Sequence, residues 1–316
     1  MENNELDFSV VICCYNPNFE KLKKTIISIV KQKNVSFEII ISDDGSKENY
    51  LNKLESWINE IGLRGMKYNF LKENVGTVKN IISGMEKSEG KYIKIISPGD
   101  YLFNEYSLER YKKEFEDKNC SLIYSRAAFY DENGLVLNKY NPVLINTEKN
   151  RYLKRNVCFF MDSLIGATVA CTRDMIKYLY EISGVVRLLE DYPMSYLALM
   201  NNEKVCFIKE YLIWYEYGTG ISTQSISSKL ENDTNKFLKF LSKNYSKNRA
   251  VLKSVKYLNL IRNYSGTKTT IKLSLLKPSY FFEVLHERIF KRFRKFPKVD
   301  FGDIDKITNL DVWYIY

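Results

Sequence analysis

A single histidine, His286, is all the chain holds, so mechanisms that need two imidazoles are closed to it. The six cysteines, Cys13, Cys14, Cys120, Cys158, Cys171 and Cys206, have neither metal-site spacing nor disulfide-framework density, which predicts reduced, mostly buried thiols. No apolar run approaches the ~20 residues of a membrane-spanning helix. The best stretch, Ser163 to Cys171, is short and follows Asp162. Glu2, Glu5 and Asp7 stand where a secretory leader would be basic and then apolar, so a cytoplasmic location is expected. Directly after the first strand-like run comes Cys13-Cys14-Tyr15-Asn16-Pro17, not Gly-x-Gly-x-x-Gly, and no Walker-type loop occurs. A dinucleotide oxidoreductase and a P-loop enzyme are thereby excluded.

What is present is enough for a large core. The 316 residues are 45% hydrophobic, which rules out wholesale disorder and allows one large domain or two modest ones. Charge is unevenly placed: residues 1–229 hold 30 basic and 30 acidic side chains, whereas residues 230–316 hold 18 and 8, so the excess of +10 belongs to the tail. Such a tail is either a solvated helical face or a surface for an anionic partner. The first hundred residues alternate strand-like runs (Phe8–Cys14, Phe37–Ser42, Lys67–Leu71, Lys91–Ile96) with helical spacings. This alternation predicts an α/β fold with a mostly parallel sheet and helices on both faces. Further on, Leu122–Tyr130 and Leu135–Tyr140 predict a hairpin, Pro193–Met200 a helix, and Val205–Ile208 and Leu212–Tyr217 two strands. Helical patterns dominate from 227, which sets a division into 1–225 and a basic, mainly helical 226–316.

In a parallel sheet, ligands bind beyond the carboxyl ends of the strands. The residues there are Tyr15-Asn16, Asp43-Asp44-Gly45-Ser46 and Asp100. Oxygen ligands gathered on such a rim suit a hard cation, Mg²⁺ or Mn²⁺, which can accept a diphosphate. Taken singly, Asp43–Ser46 and Pro98–Asp100 read equally well as turns, and Glu190-Asp191-Tyr192-Pro193 as an ordinary helix start. Their order and spacing together carry more than any one of them.

Over roughly residues 8–225 the chain resembles the family 2 glycosyltransferases, which have the GT-A fold. Ser9-Val-Val-Ile-Cys-Cys-Tyr-Asn16 is similar to that family's first strand, with Cys13 where proline is usual. Glu38-Ile-Ile-Ile-Ser-Asp-Asp-Gly-Ser46 resembles its second strand and turn, and Asn74-Val-Gly76, Gly84 and Gly90-Lys-Tyr-Ile93 its next helix and strand. The resemblance implies that Tyr15, Asn16, Asp43 and Asp44 line the nucleotide, one aspartate facing the base edge. It implies that Asp100 holds the metal ion, that Asp191 is the general base and that Glu190 supports it. Gly218-Thr-Gly-Ile-Ser-Thr223 is similar to a late loop near the donor phosphates. Ser97 and Gly99 stand where two further carboxylates are common, and Ile81-Ile82 where an Arg-Asn pair is expected, leaving Lys79 and Asn80 as substitutes.

The activity so implied is inverting transfer of a sugar from a nucleoside-diphosphate sugar, UDP-linked, to a hydroxyl of a glycan or lipid-linked glycan in cell-surface polysaccharide synthesis. The alternative is a non-catalytic nucleotide-sugar-binding module with a degenerate metal site, suggested by Ser97 and Gly99. In the tail, Phe282, Leu285, Ile289, Phe293 and Phe296 share one helical face with Arg288, Lys291, Arg292, Arg294 and Lys295 interleaved. That helix would pack on the catalytic domain, lie on an anionic membrane surface at the inner face, or form a homodimer contact. No nucleic-acid-reading module is recognisable, so no nucleic-acid partner is expected.

Overall fold

The computed structural model describes residues 6–131, 136–137, 157–158, 165–218, 227–263, 271, 275 and 302–310. Strand β1 (Phe8–Cys14) lies between β2 (Phe37–Asp43) and β4 (Tyr92–Ile96), and β3 (Met66–Phe70) flanks β2, all four parallel. Beyond β4 the sheet continues through β8 (Ala170–Thr172), β6 (Leu122–Tyr130), β9 (Val205–Glu216) and β5 (Tyr101–Leu102). There β6 and β9 are parallel, while the β4–β8, β8–β6 and β9–β5 ladders are antiparallel. The short β7 (Val136–Leu137) pairs back onto β6, as the hairpin pattern predicts.

The near-continuous apolar runs of the first strands follow from burial on both faces. Val10 and Ile12 point into one core, with Leu22, Ile26 and Ile29 of α1 (Phe19–Val30), Leu54 of α2 (Leu51–Glu60) and Tyr111 of α4 (Ser107–Lys118). Val11 points into the other, with Val78 and Ile81 of α3 (Thr77–Glu86), Leu179 of α5 (Ile176–Ile182) and Tyr196 and Leu197 of α6 (Asp191–Met200). Each such aliphatic side chain contributes about 1.5–3 kcal/mol on full burial. Helices α7 (Ser227–Asn244) and α8 (Arg249–Asn263) join this second core through Phe237, Leu241, Val251 and Leu258. Helix α9 (Gly302–Thr308) sets Ile304 and Ile307 against Trp214.

The two strands expected at 205–208 and 212–217 are one strand, β9, with a register shift opposite Ser125–Ala127. The exposed pair Lys209-Glu210 breaks the apolar pattern there without breaking the chain's path. A second correction concerns the thiols. Cys120 and Cys206 form a disulfide with Cα atoms 6.1 Å apart, while Cys13, Cys14, Cys158 and Cys171 are free. The parallel β6–β9 ladder pairs Ile123 with Cys206 and so brings the residues just before β6 alongside it. No described helix is long and apolar enough to cross a membrane. The tail stripe at 282–296, residues 219–223 of the late loop and most of the predicted second hairpin strand lie outside the described residues.

Candidate active site at the carboxyl edge of the sheet

Register places the predicted stations on one edge. Cys14 pairs with Asp43 and Ile12 with Ile96, so the segments following β1, β2 and β4 leave the sheet side by side. Strand β8 runs against β4 with Ala170 opposite Lys94, so the turn Gly166–Thr168 just before it lies toward the same end.

Tyr15 is 49% exposed, and Asn16, at φ 45°, turns the chain into the left-handed region that Asn tolerates. The Asn16 N–H donates to Ser46 Oγ at 2.7 Å, and Asn16 Oδ1 accepts from the Lys47 N–H at 2.9 Å, which ties the first two stations together. Both aspartates are buried and engaged. Asp43 accepts from the Ser46 N–H and hydroxyl at 2.7 and 2.6 Å and from Tyr50 Oη at 2.9 Å. Asp44 accepts from the N–H groups of Val75 (2.7 Å) and Gly76 (3.0 Å), capping the approach to α3. Burial raises its pKa against the pull of those N–H groups and of Arg187. Lys79 is exposed on the first turn of α3 and makes no ion pair among the described residues. Asn80 instead faces inward, where it is buried and exchanges hydrogen bonds with Ser42 of β2.

Glu190 precedes α6 and Asp191 is its first residue, with Asp191 Oδ1 accepting from the Tyr192 N–H at 2.6 Å. Gly166 lies against both: a Cβ there would stand 3.2 Å from Glu190 Oε1 and 3.6 Å from Asp191 Oδ2. Burial pushes both carboxyls up, and the charge of Asp191 pushes Glu190 further. The Cys13 thiol is raised by burial first and then by the charges of Cys14, Glu190 and Asp44, which links the α6 start to the β2 turn. Three residues earlier, Arg187 donates to the carbonyl oxygen of Asn74 at 2.7 Å. The Arg187 and Leu188 N–H groups donate to Asp233 of α7 at 2.8 and 2.7 Å. Arg187 and Asp233 thus fix the segment that presents Glu190 and Asp191. Their separation in the chain leaves no local sequence signal for this.

Asp100 ends the turn after β4. Its carbonyl accepts from Thr25 Oγ1 at 3.0 Å, and its Oδ1 accepts from the Glu216 N–H at 3.4 Å. Burial pushes its pKa up to about 7, opposed by that N–H and by Lys94. Lys94, itself lowered to about 7 by burial, donates to the carbonyls of Ile95 (2.9 Å), Val169 (3.1 Å) and Ala167. No group of three or more His, Cys, Asp or Glu suited to a metal exists among the described residues. Asp100 fits one all the same, because Mg²⁺ is commonly held by one or two carboxylates with substrate phosphates and water, and the Asp100 carboxylate is held by backbone N–H groups alone, with no ion pair among the described residues. Sequence reasoning did not single out Glu216, at the end of β9, which pairs with Lys21 of α1 at 2.5 Å beside this turn. Two open depressions, of about 510 Å³ at Tyr106–Tyr211 and about 530 Å³ at Phe115–Arg173, contain none of the candidate residues.

The family model described as glycosyl transferase family 2 matches residues 9–171. An uncharacterized glycosyltransferase of Methanocaldococcus jannaschii is 26% identical over 210 residues, 66% of this chain and 69% of that one. Another, of Rickettsia bellii, is 29% identical over 133 residues, 42% of this chain but only 18% of its own length. Among solved structures, S. aureus TarS 1–349 in complex with UDP-GlcNAc superposes with a TM-score of 0.58 at 16% identity, covering 96% of this chain and 82% of that one. The same protein in complex with UDP gives 0.54 at 15% identity, with 82% and 73% covered. At such identity these two matches establish the GT-A-like fold alone. With half of its length matched by the family model, the chain belongs to glycosyl transferase family 2.

Proposed function

We propose that the protein is an inverting glycosyltransferase that moves a sugar from a nucleoside-diphosphate sugar, UDP-linked, to a hydroxyl of a glycan or lipid-linked glycan in cell-surface polysaccharide synthesis. The observation that supports this reading is two separate acidic features toward one end of the sheet: the Asp100 turn after β4, and the half-buried Glu190–Asp191 pair, which packs on Gly166 just before β8. The UDP and UDP-GlcNAc complexes of TarS support the choice of donor.

The exposed Tyr15 ring, with Asn16 and the loop held by Asp43 and Asp44, receives the nucleoside, and Lys79 approaches the phosphates. Asp100 would hold Mg²⁺ or Mn²⁺, which would supply positive charge against the departing diphosphate. Asp191 takes the proton of the attacking acceptor hydroxyl. Two adjacent, partly desolvated carboxyls share one proton rather than both ionising, and the N-terminus of α6 favours the remaining anion. Glu190 thereby holds a proton while Asp191 stays available as the base. One base and in-line displacement give inversion at the anomeric carbon. The basic segment 230–316 brings the enzyme to an anionic, lipid-bearing acceptor surface.

A panel of nucleotide sugars tested by thermal shift, followed by release of nucleoside diphosphate without acceptor, tests the reading. Stabilisation by one donor and slow release by the wild type are expected. Binding with no release and no transfer to any hydroxyl acceptor would instead leave a nucleotide-sugar-binding module.

A further inference from the structure

The turn after β4 has glycine at 99, and the space where its side chain would project is already occupied. A Cβ built on Gly99 would lie 2.5 Å from Glu216 Oε2. Strand pairing accounts for this. β5 runs against β9 with Tyr101 opposite Trp214 and Leu102 opposite Ile213, so extending the register by two residues sets Gly99 across from Glu216. The Glu216 N–H also reaches Asp100 Oδ1 at 3.4 Å. The Glu216 side chain is 4% exposed; Oε1 accepts from Lys21 Nζ at 2.5 Å, and Oε2 accepts no hydrogen bond from the described residues.

We propose that Glu216 is the second carboxylate of the divalent-cation site, delivered by β9 into the room that glycine leaves at position 99. This rests on the reading that Asp100 holds the cation. Asp100 and Glu216 would supply two hard oxygen ligands on one side, and the donor diphosphate and water would complete the shell. Lys21 neutralises Glu216 while no cation is bound, so affinity for metal alone is low and rises when the diphosphate brings its own charge. Glycine at 99 is then a requirement of the site, since any side chain there would displace the carboxylate of Glu216.

The test is Mn²⁺ binding followed by loss of the free-ion electron paramagnetic resonance signal, with UDP present, for the wild type, Glu216→Gln and Lys21→Met. Circular dichroism and melting curves establish that each variant is folded. Glu216→Gln should weaken Mn²⁺ binding by about tenfold or more, on the scale of lost metal-supporting groups. Lys21→Met should strengthen it, because a competing ammonium is gone. If Glu216 served only to partner Lys21, both substitutions would act in the same direction, and that result overturns the proposal. Unchanged affinity in a folded Glu216→Gln protein also overturns it while leaving Asp100 in place. Should Glu216→Gln fail to fold, Lys21→Met decides: tighter Mn²⁺ binding supports the proposal, and unchanged or weaker binding overturns it. A wild-type protein that takes up no Mn²⁺ even with UDP would remove the underlying metal reading as well.

Discussion

Asp191 and Glu190 stand side by side, half-buried; loss of water around them raises both carboxyls, and the charge of Asp191 raises Glu190 further. Replacing Asp191 by Asn keeps its size and its contact with the Tyr192 N–H but removes the proton acceptor. Transfer should fall by ~10² to 10⁴ or more while donor binding, read by thermal shift, is nearly unchanged. Full transfer by that variant would take the base role from Asp191. The sign of the pH dependence follows from the raised pKa of the pair. The base form is lost as pH falls, so the acid limb of kcat/KM should lie above the ~4 of an ordinary carboxylate. A limb at the ordinary value would mean that the reacting carboxylate is solvated. These residues were legible in the sequence because each follows a strand or opens a helix, where the order of motifs can be read. Glu216 and Lys21 were not, since neither belongs to a local pattern and they meet only across 195 positions of chain.

Helix α3 begins where the β2 turn, the 73–76 loop and the segment before α6 press together. Asp44 accepts from two N–H groups there, and Val78 donates to the Arg187 carbonyl at 3.1 Å. Asp44→Ala should cost about 1–3 kcal/mol in urea unfolding by leaving buried N–H groups unpaired, and Asp44→Asn less, since an acceptor remains. Equal losses would mean that the N–H groups find water. Gly45 has φ +67°, and a Cβ on it would meet the Glu73 carbonyl carbon at 2.4 Å, whereas Gly65, at φ +80°, faces open space. Gly45→Ala should therefore unfold at clearly lower urea than Gly65→Ala, which bears only the backbone cost of ~1 kcal/mol. Strand and helix positions in this half were legible because burial on both faces produces unbroken apolar runs. The unity of β9 was not, because Lys209 and Glu210 interrupt its pattern at a bulge.

Across the whole molecule, one sheet separates two apolar cores; Asp43 and Asp44 stand at the carboxyl end of β2, Asp100 in the turn after β4, and Glu190–Asp191 at the start of α6. The Cys120–Cys206 disulfide closes a span of 86 residues that includes Glu190 and Asp191. Dithiothreitol should lower the stability of the wild type by about 2–4 kcal/mol and leave a Cys120→Ser/Cys206→Ser variant unaffected. An identical loss in both would assign the effect elsewhere. That pairing could not be read from spacing, because it depends on the order in which β6 and β9 enter the sheet. The claim on which all of this depends is that the β2 turn, Asp100 and Asp191 border one donor site. A crystal structure with UDP and Mn²⁺ tests it most directly. The base should lie against Tyr15 and the Asp43–Ser46 loop, with the diphosphate and ion at Asp100 and the Asp191 carboxylate facing the space beyond the terminal phosphate. UDP bound away from Asp100, or Asp191 walled off from it by protein, would contradict the claim.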